Sequence, residues 1–152
     1  MTIIELLQDQ HNEILTSSFE AVKRSQLKSY EKAGDEHIQQ RLKALFVLTV
    51  RAIKERNLGP MIAHAETIAN ERFSAGFDLS EVQTAFNVLE ESIWMNILKH
   101  LPATEYAEAL GLVSTVLGAG KDSLARRYVS LASRTKSTSL NLQSIFSGTE
   151  GT

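Results

Sequence analysis

Cysteine is absent from this 152-residue chain, which removes disulfides, thiolate zinc sites and cysteine nucleophiles together. Proline is scarce. The only two, Pro60 and Pro102, fall where apolar periodicity breaks, so nothing of that kind interrupts helices elsewhere. An excess of one charge is also missing: 16 basic against 18 acidic residues give a net charge of −2 and a pI near 6.1. That balance supplies no strong attraction to nucleic acid or to anionic membranes. No apolar run is long enough to cross a bilayer. The opening MTIIELLQDQ has no basic segment and carries Glu5 inside its apolar part, unlike a secretory signal. The expected compartment is the cytoplasm.

What is present suits one domain. An apolar share of 43% is ordinary for a globular chain, and this length buries roughly 70% of the unfolded surface without staples. No strand pattern and no internal repeat is visible, and apolar residues recur at helical spacing along five segments. The first opens with Thr2 and Glu5 spaced as a capping box and runs to about Arg24 through Leu7, Ile14 and Val22. A polar link through Ser29 and Gly34 leads to Asp35 as N-cap of the second, which carries Ile38, Leu42, Leu45, Phe46, Thr49 and Ile53. Leu58-Gly59-Pro60 stops it and starts the third, through Met61, Ala65, Ile68, Ala69 and Phe73 to Gly76. The fourth runs from Leu79 to about Leu98. After Leu101-Pro102, Thr104 caps the fifth, whose stripe passes through Tyr106, Leu110, Val113, Leu117, Leu124, Tyr128 and Leu131. Continuous to Arg134, this last helix would be about 45 Å long. Residues 1–134 thus form a helical domain, and 135–152, rich in Ser, Thr and Gly, read as a flexible tail or linker.

The densest local information lies at Ala69–Leu89. Gly76 ends one periodic run and Asp78 begins the next, with Glu81 three residues on, so a glycine stop meets a capping box. Phe77 and Val82 flank the cap as a hydrophobic staple. The combined pattern of Arg72, Gly76-Phe77, Leu79, Glu81-Val82 and Leu89 resembles the N-terminal domain of bacterial stressosome RsbT co-antagonists of the RsbR/RsbRD type, also found in front of some sensor kinases. The likeness is sharpest over about forty residues around this corner and extends at the level of helix order from Met1 to about Thr135. It implies an all-α, globin-like bundle without haem, dimeric, acting as a non-catalytic input module. The family's effector domain with its phosphorylatable residues does not fall within these 152 residues, which read either as a stand-alone relative or as the front piece of a longer protein, and no phosphosite is carried over.

The four histidines are His11, His37, His64 and His100. His11 sits in the first stripe and reads as a core-edge imidazole, with a sensing role as its rival. His64 flanks the third stripe, where a haem ligand of a globin-like pocket would stand. These two are the candidate cofactor-binding residues, although no cofactor or metal is expected. Glu-x-x-His is absent, which sets aside a di-iron bundle. Glu90-Glu91 diverge by about 100° on a helix and read as a solvated face. Gly118-Ala119-Gly120-Lys121 is no phosphate loop, because Thr115 and Asp122 occupy the positions that need Gly and Ser or Thr. Gly120 lies on the stripe, and two glycines so near each other imply close helix contact, a kink or a ligand entrance. Arg126, Arg127, Arg134 and Lys136 suit the negative end of a helix, with anion or partner binding as the alternative.

The expected function is a signal-transduction input domain that relays ligand or partner binding to a downstream signalling protein or effector domain. The alternative is a globin-like carrier or sensor of haem, another tetrapyrrole or a fatty acid. A homodimer is expected through Trp94, off the fourth stripe, and through Tyr106, Leu110, Val113, Leu117 and Gly120, whose spacing of four, three, four and three resembles a heptad seam.

Overall fold

The structure, a computed structural model, describes residues 1–147, with side chains through Arg134. The chain is all-helical, and no strand occurs among the described residues. The helices are α1 (Ile3–Asp9), α2 (His11–Arg24), α3 (Lys28–Ala33), α4 (Asp35–Glu55), α5 (Gly59–Ser74), α6 (Leu79–His100) and α7 (Tyr106–Ser147), with a 3₁₀ turn at Ala103–Glu105. Among the described residues, seven α-helices therefore replace the expected five.

The differences have local causes. The first segment breaks at Gln10, whose backbone (φ −102°, ψ 14°) leaves the helical region. Thr2 Oγ1 accepts the Glu5 N–H at 3.2 Å, which gives the Thr2 half of the expected capping box. The polar link holds α3, a single short helix that is pinned by Tyr30, buried edge-on against Phe77 at 5.1 Å. Gly34, with φ +96°, takes the N-cap position of α4. Asp35 is thereby the first helical residue and binds Lys23 at 2.7 Å. α4 ends earlier than expected, with Arg56 in the left-handed region (φ 53°).

The α5–α6 corner is a Schellman turn joined to a capping box. Phe77 N–H donates to Arg72 C=O (2.9 Å) and Gly76 N–H to Phe73 C=O (3.2 Å), with Gly76 at φ +85°. Asp78 and Glu81 then satisfy each other's backbone at the start of α6. The hydrophobic contact that usually closes a Schellman turn is here the Arg72 guanidinium lying 5.1 Å from the Phe77 ring centroid.

α7 packs against α4, α5 and α6 and buries Val113, Val116, Leu117, Leu124 and Tyr128. Gly120 is where α7 comes closest to its neighbours: a Cβ there would meet Phe86 Cε1 at 2.8 Å and Met61 Sδ at 3.1 Å. Behind it, α2 lies on α6, where Ser18 and Ser92 both donate to Ile14 C=O (2.7 and 3.2 Å). α7 continues to Ser147, past the expected end at Arg134. Arg126 and Arg127 are thus mid-helix, bound to Asp122 (3.0 Å) and Asn70 (2.8 Å), rather than placed at a helix end. Of the expected tail 135–152, residues 148–152 and the side chains from 135, Lys136 included, lie outside the described residues.

Candidate functional site

Arg72 lies on the buried stripe of α5, four residues after Ile68 and seven after Ala65, and is 4% exposed. A guanidinium taken out of water is normally held by a carboxylate through paired hydrogen bonds. Here the nearest carboxylate, Glu71, stands 3.9 Å from Nη1 and already binds Arg41 at 2.8 Å. Arg72 Nε and Nη2 are buried with no hydrogen-bond partner. Burial, and then Arg41, lower the Arg72 pKa, while Tyr30, Glu71 and Tyr128 work in the opposite direction.

A cavity of about 490 Å³ opens beside this residue, within the size range of small-molecule sites. Arg72, His37, Lys28 and Lys32 line it together with Ser29, Ala33, Ala75, Gly76 and Phe77, and none of these lining residues is acidic. α3 brings the two lysines and is itself fixed by Glu81, which accepts from Ser29 N–H (3.0 Å) and Ser29 Oγ (2.8 Å). Burial would raise the Glu81 pKa, but hydrogen bonds from Asp78 and Ser29 outweigh it and the net shift is downward. His37 Nε2 is buried without a partner, and burial, reinforced by Arg72 and Arg41, lowers the His37 pKa. The cavity thus has a neutral, donor-capable imidazole and three cations.

The cavity is tied to α7 through its floor. Tyr128 Oη donates to Phe77 C=O at 3.1 Å, and its ring meets Phe73 edge-on at 5.6 Å. Burial pushes the Tyr128 pKa up to about 12, against the pull of Arg72.

The residues expected from sequence to bind a cofactor are not brought together. His11 is half-buried with its ring 5.8 Å from Phe46. His64 is half-buried on α5, its pKa lowered first by burial and then by Arg41, and its Nε2 has no partner. Neither lines the basic cavity. No cluster of three or more His, Asp or Glu suited to a metal occurs among the described residues. A second cavity, about 410 Å³, lies between the end of α4 and α7 along Ile53, Leu58, Leu112 and Val116, with no histidine in its lining.

The expected dimer seam needs correction. Val113, Leu117 and Gly120 are buried within the protomer, Gly120 directly beneath Phe86 and Met61, so they form internal core rather than a surface for a second copy. Tyr106 and Leu110 are half-buried against the same core, and Tyr106 Oη donates to Leu98 C=O (2.9 Å). Trp94 is 39% exposed and has Met95 (60%) and Leu98 (49%) near it on α6. Glu90, expected on a solvated face, is instead 9% exposed and paired with Lys121 at 3.4 Å.

Sequence reasoning used Arg72 only as part of a pattern. The signal for its role was an arginine at a core position of the third stripe. Comparison with protein-family models, curated proteins and solved structures finds no match to this chain. No described helix is long and apolar enough to cross a membrane.

Proposed function

We propose that this chain is a non-catalytic input domain of signal transduction, which passes occupancy of the basic cavity along α7 to a downstream signalling protein or effector domain. One observation carries this reading. Phe77, which lines the cavity, also accepts the hydrogen bond from Tyr128, the last buried residue of α7 among those described. A ligand that shifts the corner therefore acts directly on the anchor of the longest helix. The resemblance of the corner pattern to stressosome co-antagonist domains points the same way, toward a globin-like, cytoplasmic module in bacterial stress signalling.

A homodimer belongs to this reading. Trp94, Met95 and Leu98 form an exposed apolar patch on α6, and Trp is enriched in interface cores. Light scattering coupled to size exclusion should give a dimer at tens of micromolar, converted to monomer by Trp94→Glu. A monomeric wild type sinks the dimer.

Relay is tested by hydrogen exchange on the intact chain. Tyr128→Phe removes the anchoring hydroxyl and should accelerate exchange in α7 beyond Leu124 while the amides of α2 keep their rates. Unchanged exchange in α7 would refute the coupling.

A further inference from the structure

The unfilled valence of the cavity has a chemical direction. Nε and Nη2 form one edge of the guanidinium, the fork that receives the two oxygens of a carboxylate or phosphate. On Arg72 that edge is buried with no hydrogen-bond partner on Nε or Nη2, and the one nearby carboxylate is engaged by Arg41. The Tyr30 hydroxyl is also close to the guanidinium, near enough for a hydrogen bond that lowers the Tyr30 pKa against burial. His37 Nε2, in the same lining, is also without a partner. Lys28 and Lys32 add positive charge at exposed positions, and no lining residue is acidic, the nearest carboxylate, Glu71, standing outside the lining. Phe77, Ala33 and Ala75 make the rest of the wall apolar. An inorganic ion would leave that wall wet, whereas an organic body would cover it.

The geometry points to a binding site for a small organic oxyanion, a carboxylate or a phosphate ester, with Arg72 as its counter-ion, His37 as a second donor, and Lys28 and Lys32 drawing it in. Binding turns the guanidinium toward the cavity. No hydrogen bond to Nε or Nη2 opposes that turn; what resists it is the stacking on Phe77 and the neighbouring Tyr30 hydroxyl. Movement of Arg72 changes the contact that closes the α5–α6 corner, so ligand chemistry and corner geometry are linked at one side chain. The ligand class rests on the cavity being the input of a signalling domain, but binding and relay are measured separately and either can fail alone.

The test is calorimetric titration of the full chain with succinate, with glycerol 3-phosphate and with neutral succinamide, accompanied by amide NMR shifts at Ser29, Gly76 and Phe77. Saturable binding of at least one anion, none of succinamide, and shifts centred on those amides are expected. The tighter of the two anions assigns the headgroup. Arg72→Leu, shown folded by circular dichroism, should weaken binding by at least about tenfold, the scale of one charge-assisted hydrogen bond. The paired Lys28→Gln and Lys32→Gln changes lie on an exposed helix face and leave the core untouched. They should weaken binding several-fold and flatten its salt dependence, and they decide the matter if Arg72→Leu does not fold. Absence of saturable binding by both anions, equal binding of succinamide, or affinity unchanged in the substituted proteins would overturn the assignment.

Discussion

Gly118 and Gly120 lie two residues apart on α7, and the same substitution should act on them in opposite directions. Replacing glycine by alanine inside a helix gains about 1 kcal/mol of propensity at either position. At Gly118 an added Cβ has no heavy atom within 4 Å, so Gly118→Ala should stabilise by about that amount. At Gly120 the Cβ arrives 2.8 Å from Phe86 Cε1 and 3.1 Å from Met61 Sδ. Carbon pairs sit comfortably at about 3.5–4.0 Å, so the Phe86 ring must retreat by roughly 0.7 Å. Met61 can re-pack its flexible thioether. Phe86 is 1% exposed and wedged among buried neighbours. Overpacking of that kind costs about 1–3 kcal/mol, leaving Gly120→Ala between neutral and about 2 kcal/mol destabilising once propensity is credited. Because propensity cancels, the difference between the two variants isolates the clash at about 1–3 kcal/mol. Urea unfolding followed by circular dichroism, with equal m-values, would measure it. Two variants that agree within about 0.5 kcal/mol, the usual tolerance of surface changes, would show that α7 does not approach Phe86 as closely as described.

Gly76→Val should destabilise by about 2 kcal/mol or more in the same melts, since φ +85° strains any L side chain and a branched one most; a change below about 0.5 kcal/mol would refute the turn. Glu81→Gln removes the charge from three hydrogen bonds, to Asp78 and Ser29, and should cost about 1–3 kcal/mol at neutral pH. Its folded pKa is depressed below the ordinary 4.5, so the charge-dependent stability is complete above that pH and is lost as pH falls through the folded value. Glu81→Gln should therefore flatten the acid limb of stability against pH, and an unaltered limb would contradict this. His37 and His64 both have pKa values lowered from 6.5, chiefly by burial. The unfolded chain takes up protons first as pH drops below 6.5, so stability should decline from there toward the folded values, and a His37→Asn, His64→Asn double variant should lose that decline.

The parts of the fold that were legible in the sequence are those set by neighbours along the chain. Gly76, Asp78 and Glu81 specify their corner within a few residues, whereas Gly120 left close contact, a kink or a ligand entrance open until Phe86 and Met61 were placed against it. The break at Gln10 carries no glycine or proline, so a continuous stripe from Leu7 to Ile14 concealed it. α3 spans six residues, too few for periodicity to register, and holds through Tyr30 on Phe77 and through Glu81, 52 residues away, on Ser29. The cavity inherits this non-locality. Arg72 could be singled out as a cation in a core stripe, but nothing local places Lys28 and Lys32 beside it. Glu90 failed for the converse reason: its counter-ion, Lys121, is supplied by another helix.

α7 has one more consequence. From Tyr128, the last buried residue of α7 among those whose side chains are described, to Ser147 a helix rising 1.5 Å per residue runs about 28 Å. A helix of that length is a mechanical amplifier. A tilt of about 5° at Tyr128, the sort of change a side-chain rearrangement against Phe77 can produce, carries the far end through roughly 2.5 Å by that same rise. For the relay proposed above, the cavity need not deform the bundle to be read at a distance; it need only re-aim one helix.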